Sequence, residues 1–162
     1  MFNKKIETQL NGQLNKELYA MYLYLSMAAY ADSIGLGGIA QWFRAQSAEE
    51  FTHAMKIYNF INDKGGRVIL EAIKQPKSDF KSVKQLFELA LEHEQLVTDS
   101  INKLVEIAAK EKEHATASFL RWFVDEQVEE EASVMGILDK FTYIGDSGMG
   151  LIMLDRELAN RK

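Results

Sequence analysis

Only one proline, Pro76, interrupts 162 residues. Proline removes a backbone donor and clashes with the preceding helical turn, so its scarcity leaves long helices open on both sides. Glycine supplies the remaining punctuation. Gly35, Gly37 and Gly38 cluster at one point, Gly65 and Gly66 at a second, Gly145, Gly148 and Gly150 at a third. Between these points apolar residues recur at three- and four-residue steps, which is helical periodicity. The pattern predicts helices over 3–33, 38–64, 82–110 and 114–142, and a short fifth over 151–160. Ser82-x-x-Gln85 is a capping-box signature for the third helix. The turn before the fourth, in Lys110-Glu111-Lys112-Glu113, is weakly marked. Gly12 and Gly136 fall inside helical stretches, where each costs up to about 1 kcal/mol relative to Ala. Both are therefore expected at close packing contacts.

Four long helices joined pairwise by short turns make two antiparallel hairpins. The connection over 67–81 differs: it holds Pro76 and no sustained period. The second helix should be about 40 Å long. A segment of this length, extended, reaches about 50 Å. It can run the length of the bundle and start the third helix at the opposite end. The expected fold is all-α, a single domain over 1–162, with the second and third helices parallel. The absence of cysteine excludes disulfides, thiolate zinc sites and cysteine-held iron–sulfur clusters. No apolar run approaches a membrane span, and the polar start, MFNKKIETQL, lacks the apolar run of a secretory signal. No membrane partner and a cytoplasmic location are the expectations. With 24 acids against 19 bases, the formal charge of −5 argues weakly against nucleic acid.

Each long helix has an inward seam at alternating four- and three-residue spacing. The first reads Leu10, Leu14, Glu17, Met21, Tyr24, Ala28; the second Phe43, Gln46, Glu50, His53, Ile57, Phe60. The third reads Phe87, Ala90, Glu94, Val97, Ile101, Leu104, Ala108; the fourth Leu120, Phe123, Gln127, Glu130, Val134, Ile137, Phe141. Every seam is mainly apolar except near its middle, where each carries a glutamate. Within each hairpin these polar positions lie at nearly equal distances from the turn, so all four should share one mid-bundle layer. A buried carboxylate is costly unless paired or bound to metal. No Lys or Arg stands in the seams to neutralise four of them, whereas two divalent cations would. Glu50-x-x-His53 adds an imidazole on the same helix face. Oxygen-rich ligands with one imidazole suit iron or manganese, and zinc also fits.

Lesser signals surround this layer. Gln127, one turn from Glu130, is either a ligand or a hydrogen-bonding amide. Tyr24 is either a packed aromatic or a partner of the site. Asp125, Glu126, Glu129 and Glu131 extend Glu130 into an acidic run. One reading is a solvated acidic face. The other has Glu49, Glu126 and Glu129 holding a further cation beside the dinuclear site. His93 and His114 are expected to be ordinary edge or surface histidines.

Glu17, Glu50-x-x-His53, Glu94 and the run Trp122-Phe-Val-Asp-Glu-Gln-Val-Glu-Glu-Glu131 stand in an order and spacing that resembles the ferritins, specifically the non-haem bacterial ferritins. The resemblance covers essentially the whole chain. It implies a ferritin-like four-helix bundle with one long crossover and a short C-terminal fifth helix, an arrangement known for this bundle class. It implies a ferroxidase centre. Glu17, Glu50 and His53 match the ligands of a first iron, and Glu50, Glu94 and Glu130 those of a second, with Glu50 bridging. Gln127 and Tyr24 match the amide and tyrosine beside the centre. Glu49, Glu126 and Glu129 match a third iron site, with Trp122 nearby. The implied function is iron storage: Fe(II) is oxidised by O2 or H2O2 and kept as an Fe(III) mineral inside a homo-oligomeric shell, a 24-mer. In the family the fifth helix, here with Leu151-Ile-Met-Leu154, lines the four-fold axis.

Three departures separate the chain from related di-iron bundles. The second Glu-x-x-His motif of that class is here Glu130-x-x-Ser133, which counts against bacterioferritin and the peroxide-reducing erythrins. Phe51 stands where a haem-binding bacterioferritin offers Met, so no haem is expected. The fifth helix and the intra-subunit centre separate it from mini-ferritins. A different alternative is a non-enzymatic bundle whose buried polar layer only specifies helix register. Setting aside the central and outer glutamates leaves the rest of the chain slightly basic. The case against nucleic acid then rests on the metal site and the lack of a basic tail.

Overall fold

The computed structural model describes residues 2–161. It contains α1 (Lys4–Ser33), α2 (Gly37–Asp63), α3 (Val83–Lys110), α4 (His114–Ile144) and α5 (Gly148–Leu158), with no strand among the described residues. The expected all-α bundle with a short fifth helix is what forms. Boundaries follow capping chemistry. Asn3 caps α1, its Oδ1 accepting from Lys5 N at 3.0 Å. Ser82 Oγ accepts from Gln85 N at 3.1 Å and opens α3. The Gln85 side chain, however, accepts from Lys81 N at 2.7 Å, closing the box one residue upstream of the usual position. Ser147 caps α5 through Gly150 N and starts that helix earlier than its apolar pattern suggests.

The α1–α2 turn uses Gly35 at φ +81°, and the α3–α4 turn places Lys112 at φ +55°. The second turn is poorly marked in the sequence because a lysine, not a glycine, occupies the left-handed position.

The crossover runs alongside α1 in the same direction. Asn11 Nδ2 donates to Arg67 O at 3.0 Å and its Oδ1 accepts from Ile69 N at 2.7 Å. Asn15 repeats this with Ile69 O and Glu71 N. Further on, Ser26 Oγ donates to Lys77 O and Tyr30 OH to Phe80 O. Two asparagine side chains thus satisfy extended backbone that has no strand to pair with. Because α2 runs back along α1 and the crossover returns, α3 starts level with the start of α2 and runs parallel to it.

Gly12 and Gly136 overturn one expectation. A Cβ built on either meets nothing within 4 Å, so neither marks a close packing contact. Gly12 borders an open groove among α1, α3 and the crossover, and Gly136 lies on the exposed face of α4. Close packing occurs instead at Gly38, where a Cβ would overlap the Asp155 carbonyl. There α5 lies across the start of α2, and Asp155 Oδ1 accepts from Ile39 N at 2.8 Å. Leu154 and Leu158 are buried in this contact within the same chain, while Met149, Ile152 and Met153 remain exposed.

The predicted seams are buried except for Met21 and Phe60, which are partly exposed. The apolar core falls into two clusters. One gathers Tyr24, Phe43, Phe87 and Phe141; the other gathers Leu10, Ile57, Ile101 and Phe123. Between them lies a polar waist.

Candidate metal centre

All four seam glutamates are in the waist, with exposures of 1% for Glu17 and Glu50, 0% for Glu94 and 4% for Glu130. Ligand atoms of Glu17, Glu50 and His53 lie within 4.8 Å of one another, and so do those of His53, Glu126 and Glu130. His53 sits between the two groups. Its Nδ1 is 3.4 Å from Glu50 Oε2 and its Nε2 is 3.8 Å from Glu126 Oε1. Trp122 and Phe123 hold the ring edge-on, with centroids at 5.3 and 6.1 Å.

Three of the carboxylates are held by side chains. Gln13 Nε2 donates to Glu17 Oε1 at 2.7 Å. Gln46 Nε2 donates to Glu130 Oε2 at 2.8 Å. Tyr24 OH donates to Glu94 Oε1, and Gln127 Nε2 to Glu94 Oε2 at 3.1 Å. Such bonds occupy one oxygen of Glu17 and of Glu130 and both oxygens of Glu94, and so orient each carboxyl. Glu50 differs: its Oε2 is buried with no hydrogen-bond partner. Among the described residues no Lys or Arg forms an ion pair with any of the four.

Charge this dense and this dry shifts the carboxyls strongly. Burial, then the neighbouring Glu50 charge, pushes Glu17 well above the ordinary carboxylate range. Burial and the Glu94 charge do the same to Glu50. Glu94 is raised by burial against the opposing hydrogen bonds of Tyr24 and Gln127. Burial and Glu94 raise Glu130 to about 7. Without a cation the layer is stable only by keeping protons. A buried oxygen lacking any donor, among carboxyls short of counter-charge, is the environment divalent cations fit.

The outer acids behave differently. Glu126 is drawn to His53 and Glu130. Glu49 is held by Arg161, whose Nη2 is 2.6 Å from its Oε2. Glu129 is exposed. Glu49, Glu126 and Glu129 are therefore not gathered into one group. Glu131 accepts from Thr98 Oγ1 at 2.5 Å. His114 is exposed at the start of α4. His93 is partly buried against Tyr19 and Tyr24, and burial lowers it to about 4.

The seam pattern overlooked two residues, Gln13 and Arg161, and placed Gln46 in a seam without giving it a role. Gln13 and Gln46 each stand one turn before a seam glutamate on their own helix, a spacing that could have shown what they do. Arg161 follows the last helix and belongs to no periodic pattern.

A family profile described as a ferritin-like domain matches residues 7–144, most of the chain. The chain belongs to the ferritin family. It is 42% identical over 160 residues to a bacterial non-heme ferritin of Campylobacter jejuni, covering 99% of this chain and 96% of the relative. It is 43% identical over 161 residues to that of Staphylococcus aureus, covering 99% and 97%. An open pore ferritin from the archaeon Archaeoglobus fulgidus superimposes with a TM-score of 0.98 at 48% identity, covering 99% of this chain and 98% of that one. Among the described residues no helix is long and apolar enough to cross a membrane.

Proposed function

We propose that this ferritin stores iron, oxidising Fe(II) with O2 or H2O2 at the mid-bundle site and keeping Fe(III) as a mineral inside a homo-oligomeric shell, a 24-mer in the cytoplasm. The observation that carries the reading is the set of four buried carboxyls around His53, with the Glu50 oxygen unpartnered and no basic side chain paired to them. Glu17, Glu50 and His53 would take one Fe(II), and Glu50, Glu94 and Glu130 the other, with Glu50 shared. Tyr24 and Gln127 orient Glu94, Gln13 orients Glu17, and Gln46 orients Glu130. Arriving Fe(II) displaces the protons these carboxyls hold. Two irons side by side pass two electrons to one O2 or H2O2, which takes up two protons. No one-electron oxygen radical is then released. Glu49, Glu126 and Glu129 lie apart without metal and would have to converge on the outer side of the pair to take a third iron.

The test is to add Fe(II) to the apo-protein without oxygen, admit air, and follow ferric absorbance together with native mass. Fast oxidation by a large assembly is expected. A monomer that oxidises no faster than buffer would overturn the reading.

A further inference from the structure

Arg161, just beyond α5, reaches back to the metal centre. Its guanidinium lies 4.5 Å from the centroid of Trp42. Its Nη2 donates both to Gln46 Oε1 and to Glu49 Oε2. Trp42, Gln46 and Glu49 share one face of α2, and the Asp155–Ile39 contact docks α5 where the tail meets that face.

We infer that Arg161 is a tethered counter-cation that competes with a metal ion for Glu49 and sets the orientation of Gln46 toward Glu130. This rests on the dinuclear reading and goes beyond it. Three features carry it. First, the guanidinium lies against a carboxylate that a cation entering the outer cluster would need. Second, by holding the Gln46 carbonyl oxygen, Arg161 turns the amide nitrogen toward Glu130. The reversed amide would present an oxygen to that carboxylate. Third, the arginine holds Glu49 through a single nitrogen. One nitrogen serves both acceptors while Nη1 is buried with no partner. Strong arginine pairs are bidentate to one carboxylate, and this one is not. The backbone there is tied by short-range bonds and by Gln41 Nε2 to Arg161 O at 3.4 Å. The guanidinium can therefore be displaced by a divalent ion without disturbing the bundle. The C-terminal tail would then hold the outer carboxylate in its empty state and release it to incoming metal.

The test is calorimetric titration of the full-length assembled apo-protein with Zn(II), which is redox-inert. It compares wild type, Arg161→Ala, Arg161→Gln, Glu49→Gln and the double variant Glu49→Gln/Arg161→Ala. Two ions per chain should bind tightly in wild type and a third weakly. Either substitution at Arg161 should tighten the third ion about tenfold, because a fixed positive charge has gone, and weaken the inner ion at Glu130 severalfold, because Gln46 loses the group that orients it, while the inner ion at Glu17 binds as in wild type. Arg161→Gln keeps a hydrogen-bonding side chain and serves if the alanine variant misassembles. In the Glu49→Gln background, loss of Arg161 should bring no gain. A third ion of equal affinity in wild type and both Arg161 variants, or no third ion in any of them, overturns the inference. Absence of the two tight ions in wild type would instead take down the dinuclear reading, and this inference with it.

Discussion

Glu129 and Glu130 are neighbours on α4, yet they live in different solvents. Glu129 is exposed, whereas Glu130 is 4% exposed, accepts from Gln46 and is pushed up to about 7. The same contrast holds between Glu49, half-open and paired with Arg161, and Glu50, buried with an oxygen that meets no donor. Adjacent helical residues point about 100° apart, enough to move a carboxylate from water into the core. An acidic side chain in water costs little and does little. The same side chain inside must hold a proton, find a donor or take a cation. Function is therefore expected in the inner set, and tuning in the outer one.

The largest effect should come from Glu50→Ala. The initial rate of Fe(II) oxidation should fall by about 100-fold or more, while native mass stays that of the wild-type assembly. Stopped-flow ferric absorbance decides this, and an unchanged initial rate would refute the bridging role.

A second measurement sharpens the contrast through pH. An unfolded glutamate ionises near 4.5, whereas Glu130 in the folded apo-protein keeps its proton up to about 7. Across that window the folded chain binds more protons than the unfolded one, so stability falls as pH rises. The gap at Glu130 alone corresponds to roughly 3 kcal/mol. Apo-protein should melt at a lower temperature at pH 8 than at pH 5. Saturating Zn(II) should remove most of that loss, since the cation supplies the missing counter-charge. A flat apo profile would mean that the waist is not dry.

Intermediate effects belong to the orienting amides. Gln46→Ala or Gln13→Ala should weaken binding of one ion of the pair by about tenfold, read by the same calorimetry. Equal weakening of both ions would blur the assignment of Gln13 to Glu17 and Gln46 to Glu130. The smallest effect is expected for Glu129→Ala. Stability should change by no more than about 0.5 kcal/mol, and both inner ions should bind as in wild type, with turnover or iron release altered. Loss of the inner pair would erase the distinction between the two sets.

The site was legible to the extent that it obeyed a period. Glu17, Glu50, His53, Glu94 and Glu130 each interrupt an apolar seam, so the helical repeat that packs the core also places them together. Tyr24 was legible as a seam residue, but its partner, Glu94, lies on another helix, and seam spacing on one helix does not choose between neighbours. Gln13 lies off the seam, although it stands one turn before Glu17. Gly12 and Gly136 show that a helix can carry a glycine at the cost of propensity alone, since both face open space. The outer cluster was legible only as composition, because exposed side chains need not converge.

Helix periodicity, glycine punctuation and a single proline determined by themselves the five helices, the crossover and the height of the polar layer. These are local properties, governed by the repeat of the helix and the reach of an extended chain. Tertiary structure decided which donors hold Glu17, Glu94 and Glu130 and left a Glu50 oxygen without one. It also decided that Glu126 turns toward His53 while Glu49 turns toward Arg161. Those choices depend on side chains meeting across helices and from the far end of the chain, at distances no periodic pattern encodes.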